Sequence, residues 1–156
     1  MSDSPIEGTA DTADSAPAPA LWNPNAAALW SVLFSPVFGA WLHALNWRAL
    51  GDPARQRRSA RWMLVGLAAA VFYIVVALAW HDPLISDRVS SATGLAYLLA
   101  WYLGPAREQL RVVRERHGDA YPRRSWGRVL MIGVGAMLGY FVLAGIVGVL
   151  AAGFAG

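Results

Sequence analysis

Residues 62–80 read WMLVGLAAAVFYIVVALAW, nineteen residues without a charge, and the fourteen before them, 48–61, read RALGDPARQRRSAR. As an α-helix the first stretch rises about 29 Å, enough to cross a hydrocarbon core of about 30 Å. The second holds five arginines against one aspartate. Every basic residue of the chain is arginine, and twelve of the thirteen fall in two segments, 48–61 and 104–128. Short arginine-rich loops resist translocation, whereas acidic ones cross with little penalty. The pattern therefore predicts a multi-pass membrane protein with both arginine-rich loops in the cytoplasm.

Composition supports that class. Only 15% of residues are charged, against about a quarter in soluble domains, and 56% are apolar. The net charge of +3 divides into −4 in the tail, +4 in 48–61, −1 in 81–88 and +4 in 104–128. Both basic patches are flanked by apolar runs and no nucleic-acid motif accompanies them, so nucleic acid is not an expected partner. The chain has no cysteine, which excludes disulfides, thiolate metal sites and thiol nucleophiles. Residues 1–22 carry Asp3, Glu7, Asp11 and Asp14 without a basic residue. They lack the positive start of a signal peptide and the apolar content to fold, so a disordered acidic tail is expected.

Four spans follow, at about 26–47, 62–80, 84–103 and 129–154. The third is the weakest, with a clean apolar run of only ten residues, Gly94 to Leu103. Parity argues for it, because both arginine-rich loops lie on one side only if 84–103 crosses. The expectation is thus an all-α, four-helix transmembrane bundle with both termini in the periplasm. Trp22 and Trp80 then fall at the outer boundary, and Trp47, Trp62, Trp101 and Trp126 at the inner one, the level indoles favour. Pro36, mid-way along the first span, predicts a kink near Val32–Pro36.

Helices in lipid associate through close backbone approach. The first span carries Ala27, Ser31, Ser35, Gly39 and His43 at four-residue intervals. The third carries Ser86, Ser90 and Gly94. The fourth carries Gly135 and Gly139, with Ala144, Gly148 and Ala152 on a neighbouring row. These rows serve either the packing of the four helices or an interface with a second copy or another membrane protein.

Candidate chemistry is sparse. His43 and Asn46 are the most polar groups of the first span and read as a relay or ligand contact, or as side chains wetted at the headgroup level beside Trp47. His81-Asp82-Pro83 offers two ligand types, short of a metal site, and reads as a polar turn. No His-Glu-x-x-His or phosphate-cradling loop is present, and no catalytic residue, metal or cofactor is expected. Segment 105–117 reads as a short helix ending at Gly118, with Glu108, Arg111 and Glu115 placed to pair. Along the inner leaflet the arginines Arg55, Arg57, Arg58, Arg61, Arg107, Arg111, Arg114, Arg116, Arg123, Arg124 and Arg128 would meet anionic lipid.

The run Asn-Pro-Asn-Ala at 23–26, with Trp30-Ser31, Phe34-Ser35-Pro36, Phe38-Gly39-Ala40 and Asn46-Trp47-Arg48-Ala49-Leu50-Gly51, resembles the opening of small uncharacterised inner-membrane proteins of Gram-negative bacteria. Tyr121-Pro122-Arg123-Arg124-Ser125-Trp126-Gly127 is a looser echo. The resemblance implies the inner membrane and carries no catalytic residues. The expected role is a non-catalytic accessory or interaction subunit, one form being an immunity-type protein. The alternative is a small oligomeric transporter or channel subunit.

Overall fold

The structure, a computed structural model, describes residues 17–79 and 83–154. The expected disordered tail lies mostly outside them, as do Trp80, His81 and Asp82. The described chain is helical: α1 (Pro24–Phe34), α2 (Pro36–Ala49), α3 (Pro53–Ala79), α4 (Pro83–Trp101), a π-helical turn (Tyr102–Ala106), α5 (Arg107–His117) and α6 (Gly127–Phe154). An isolated parallel bridge joins Leu21 to Arg123.

The first expected span is not one helix. Asn23 caps α1, its Oδ1 accepting from the N–H of Asn25 at 3.0 Å and of Ala26 at 3.4 Å, and Pro24 opens the first turn. The helix stops because Pro36 has no N–H to give and drives the residue before it out of the α region. Ser35 takes φ 113° and ψ 156°, a conformation L-residues rarely adopt, and the chain reverses there rather than kinking. α2 then runs back along α1. Their meeting is direct: a Cβ added to Gly39 would collide with Ser31 Oγ, and His43 Nε2 lies 3.4 Å from the Pro24 carbonyl oxygen. In a continuous helix residues 24 and 43 would stand about 28 Å apart. Arms of 11 and 14 residues rise only about 16 and 21 Å, short of a bilayer core.

α3 begins at Pro53, just after Asp52, whose carboxylate accepts from the Arg55 N–H at 2.9 Å. α3 and α6 are long and apolar enough to cross a membrane, and in each the apolar window is only 11% buried within the chain. α4 covers the expected third span and carries Asp87 and Arg88 in its first half. It returns along α3, with the Tyr97 hydroxyl donating to the Trp62 carbonyl at 2.6 Å and Gly94 set against the Tyr73 hydroxyl. The π turn absorbs Pro105, so α4 passes into α5 without a loop. α5 ends at Gly118, whose φ of 54° suits glycine.

The hairpin tip reaches the middle of α3, where Val37 packs on Gly66. On its other side Phe34 and Phe38 pack on Gly133 of α6. The base of the hairpin, the start of α3, and α5 with the segment after it gather at one end of the molecule. Arg55 and Arg58 both pair with Glu108 there, tying the two arginine-rich segments together. Leu21 and Trp22, read from sequence as the end of the tail, are buried at this same end. Leu21 donates its N–H to the Pro122 carbonyl at 3.0 Å and accepts from the Arg124 N–H at 2.9 Å. A hairpin in place of one span therefore brings the N-terminal approach to the arginine side of the molecule, where a single crossing would have put it on the other side.

Candidate functional site

The polar residues singled out by sequence meet at the base of the hairpin and are sealed. His43 is 0% exposed, Asn46 1% and Gln109 0%. Asn46 faces Trp22 across the α1–α2 pair, its Oδ1 accepting from the Trp22 N–H at 3.0 Å and its Nδ2 donating to the Trp22 carbonyl at 2.8 Å. The same amide donates to Gln109 Oε1 at 3.3 Å, and Gln109 Nε2 donates to the His43 carbonyl at 2.9 Å. Gln109 thus pins α5 onto α2. The Pro24 contact assigns the His43 proton to Nε2. Its ring lies 5.2 Å from that of Trp101. His43 Nδ1 and the Trp101 indole N–H have no hydrogen-bond partner among the described residues.

The chemistry open to this cluster is limited. Amides do not titrate, so Asn46 and Gln109 cannot pass protons, and His43 has no exposed edge. Within the chain these side chains are not the wetted groups expected near Trp47: Trp47 is itself 1% exposed, as buried as His43 and Asn46. The arrangement is a lock that satisfies the backbone of a non-helical segment, a requirement wherever buried N–H and C=O groups lack a helix partner. No group of three or more His, Asp or Glu able to hold a metal occurs among the described residues.

The small-residue rows have divergent fates. Ser31 is buried and donates back to the Ala27 carbonyl at 2.8 Å, leaving Gly39 to meet Trp101 closely. Ser35 occupies the turn and is exposed. Gly94 is in contact with Tyr73, and Ser90 is half-buried. On α6 only Gly133 is used by the hairpin. A Cβ at Gly135, Gly139, Gly145 or Gly148 would meet open space, and Ala144 is half-buried.

Arginine is equally divided. Arg55 pairs with Asp52 at 2.7 Å and Glu108 at 2.8 Å and lies over the Trp47 ring at 5.1 Å. Arg58 pairs with Glu108, so the expected partner of Glu108 within α5, Arg111, is replaced by two from α3. Arg111 keeps the expected Glu115, at 3.9 Å. Arg123 lies 3.9 Å from Asp119, and Arg124 sits over the Trp22 ring at 4.6 Å. Arg57, Arg61, Arg107, Arg114, Arg116 and Arg128 are exposed and free of close ion pairs among the described residues. The Arg55 backbone N–H, then its guanidinium, hold the Asp52 carboxyl below the usual carboxylate range.

Two cavities accompany this frame. One, of about 630 Å³, is apolar and opens beside the hairpin tip between Pro36, Trp41, Met63, Tyr97 and Tyr140. The other, of about 900 Å³, lies along α5 at the arginine-rich end. Gln109 is the functional neighbour that the sequence reading passed over, while Trp101 and Glu108, read there as a boundary indole and an intrahelical ion-pair member, take different partners here. Gln109 was detectable, since 109, 112 and 113 form one helical face with Val112 and Val113. Comparison with protein-family models, with curated proteins and with solved structures found no match for the chain.

Proposed function

We propose that this is a multi-pass inner-membrane protein acting as a non-catalytic accessory or interaction subunit. The carrying observation is α6: its hairpin-facing glycine is consumed inside the chain, while the Gly135–Gly139 row stays open along a helix whose large apolar side chains are exposed. Open glycine rows on apolar helices let a second backbone approach closely. A soluble monomer rarely exposes so continuous an apolar face. In the threading we favour, α3, α4 and α6 cross, α1 and α2 form a re-entrant hairpin from the cytoplasmic side, and both arginine-rich segments lie in the cytoplasm with the N-terminal approach. The C-terminal end of α6 is then periplasmic.

The test is affinity capture from native membranes in mild detergent, wild type against a Gly135→Leu/Gly139→Leu pair. A stoichiometric membrane partner, or a second copy, should accompany the wild type and be lost at least tenfold from the variant. A clean monomer in both would overturn the reading. The transporter alternative draws support from the re-entrant hairpin beside an apolar cavity. Solute flux in proteoliposomes, lost on filling the cavity with Ala70→Leu, would establish it.

A further inference from the structure

Three arginines of α5, Arg107, Arg111 and Arg114, stand at i, i+4 and i+7 and line the cavity of about 900 Å³ at the arginine-rich end. We infer that this cavity is a binding site for the phosphate headgroup of an anionic phospholipid, an inference that rests on the membrane reading above. The charge balance around it is favourable. Of the two carboxylates in its lining, Glu108 is already held by Arg55 and Arg58, and Asp119 is close to Arg123. Arg107 and Arg114 have no close carboxylate among the described residues, and Arg111 has only the 3.9 Å approach of Glu115. The opposite wall is the first turn of α1. Its N–H groups at Asn25 and Ala26 are taken by Asn23 Oδ1, so anion recognition falls to the guanidiniums, which match phosphate oxygens in a planar fork.

The lining also sets the source of the phosphate. Leu103, exposed in the π-helical turn that follows α4, and half-buried Leu110 add apolar surface to the lining beside the arginines. A headgroup whose acyl chains descend along α4 uses both surfaces, whereas a soluble anion leaves the leucines unused. A cavity of this size accommodates a headgroup with its glycerol. Diffuse attraction would recruit every exposed arginine equally; the groove gathers three, of which Arg107 and Arg114 have no close carboxylate among the described residues and Arg111 only the 3.9 Å approach of Glu115.

The experiment uses the full chain, delipidated in dodecyl maltoside, with phosphatidylglycerol and phosphatidylcholine of matched chains titrated by native mass spectrometry. Inorganic phosphate serves as the soluble competitor. The groove variant is Arg107→Gln/Arg111→Gln/Arg114→Gln. Its charge-matched control is Arg57→Gln/Arg61→Gln/Arg116→Gln. Wild type should prefer phosphatidylglycerol, the groove variant should lose on the order of a hundredfold (about fivefold for each guanidinium), and the control should lose less than about threefold. Equal losses in the two variants, or no headgroup preference in wild type, would overturn the site. Displacement of the lipid by millimolar phosphate would overturn the lipid as its ligand. Should the triple variant lose helicity, Arg107→Gln and Arg114→Gln singly carry the comparison at about fivefold each. A chain that leaves the membrane without detergent and retains neither lipid refutes the membrane reading itself; one that needs detergent but shows no preference refutes only the site.

Discussion

Asn46 holds two backbone groups of Trp22 that no helix serves, so replacing it by leucine keeps its bulk and removes the lock. The change strands the Trp22 N–H and carbonyl, bonded at 3.0 and 2.8 Å, and weakens the hold on Gln109 at 3.3 Å. Each buried group left unpaired costs about 1–3 kcal/mol, giving roughly 2–6 kcal/mol for the two short bonds. Polar pairs between membrane helices measure less, because the unfolded chain in detergent also finds partners. We therefore expect Asn46→Leu to cost about 2–3 kcal/mol, a shift of roughly 30- to 150-fold in the unfolding equilibrium. The assay is unfolding of the detergent-solubilised chain by a denaturing detergent, followed by far-ultraviolet circular dichroism and tryptophan fluorescence. In a double-mutant cycle Gln109→Leu should couple to it by about 0.5–1 kcal/mol through the shared bond. A loss below about 1 kcal/mol, with the fluorescence transition unchanged, would refute the claim that Asn46 closes the hairpin.

The threading is open to labelling, since the chain contains no cysteine. Ala20→Cys and Ser125→Cys, both at exposed positions, should resist an impermeant thiol reagent in intact cells and react after lysis, while Gly153→Cys should react without lysis. Reaction at residue 20 in intact cells would restore a single crossing by residues 26–47. Acid should act at Asp52. Its folded pKa lies below its unfolded value, so its contribution to stability is complete above about pH 4 and lost as the pH falls through the folded value. Stability of the wild type should drop over that acidic range more steeply than that of Asp52→Asn; parallel curves would remove this carboxylate from the account.

Some of the site was legible beforehand. His43 and Asn46 were identified from their polarity in an apolar run, and both belong to the central cluster, but as a seal rather than as wetted side chains. Gly39 and Gly94 were identified by spacing and are close-packed. Gly135 and Gly139 have the same spacing and are open. Spacing puts residues on one helix face and says nothing about whether another helix stands opposite.

What the sequence determined alone is the helical class and the clustering of arginine, because hydropathy and charge are summed locally along the chain. In lipid, apolar runs of nineteen or more residues must satisfy their backbone internally, and helices do so within themselves. Only the tertiary structure decided the direction of the first apolar run. A largely apolar window of twenty-two residues has the same hydropathy whether it runs straight or folds at its centre. Pro36 permits the break, but the reversal depends on the amide of Asn46 reaching Trp22 across twenty-four residues and on Gln109 bracing it from α5. Trp22 comes within reach of Asn46 only once the chain has reversed, and Gln109 only once α3 and α4 have carried it out and back.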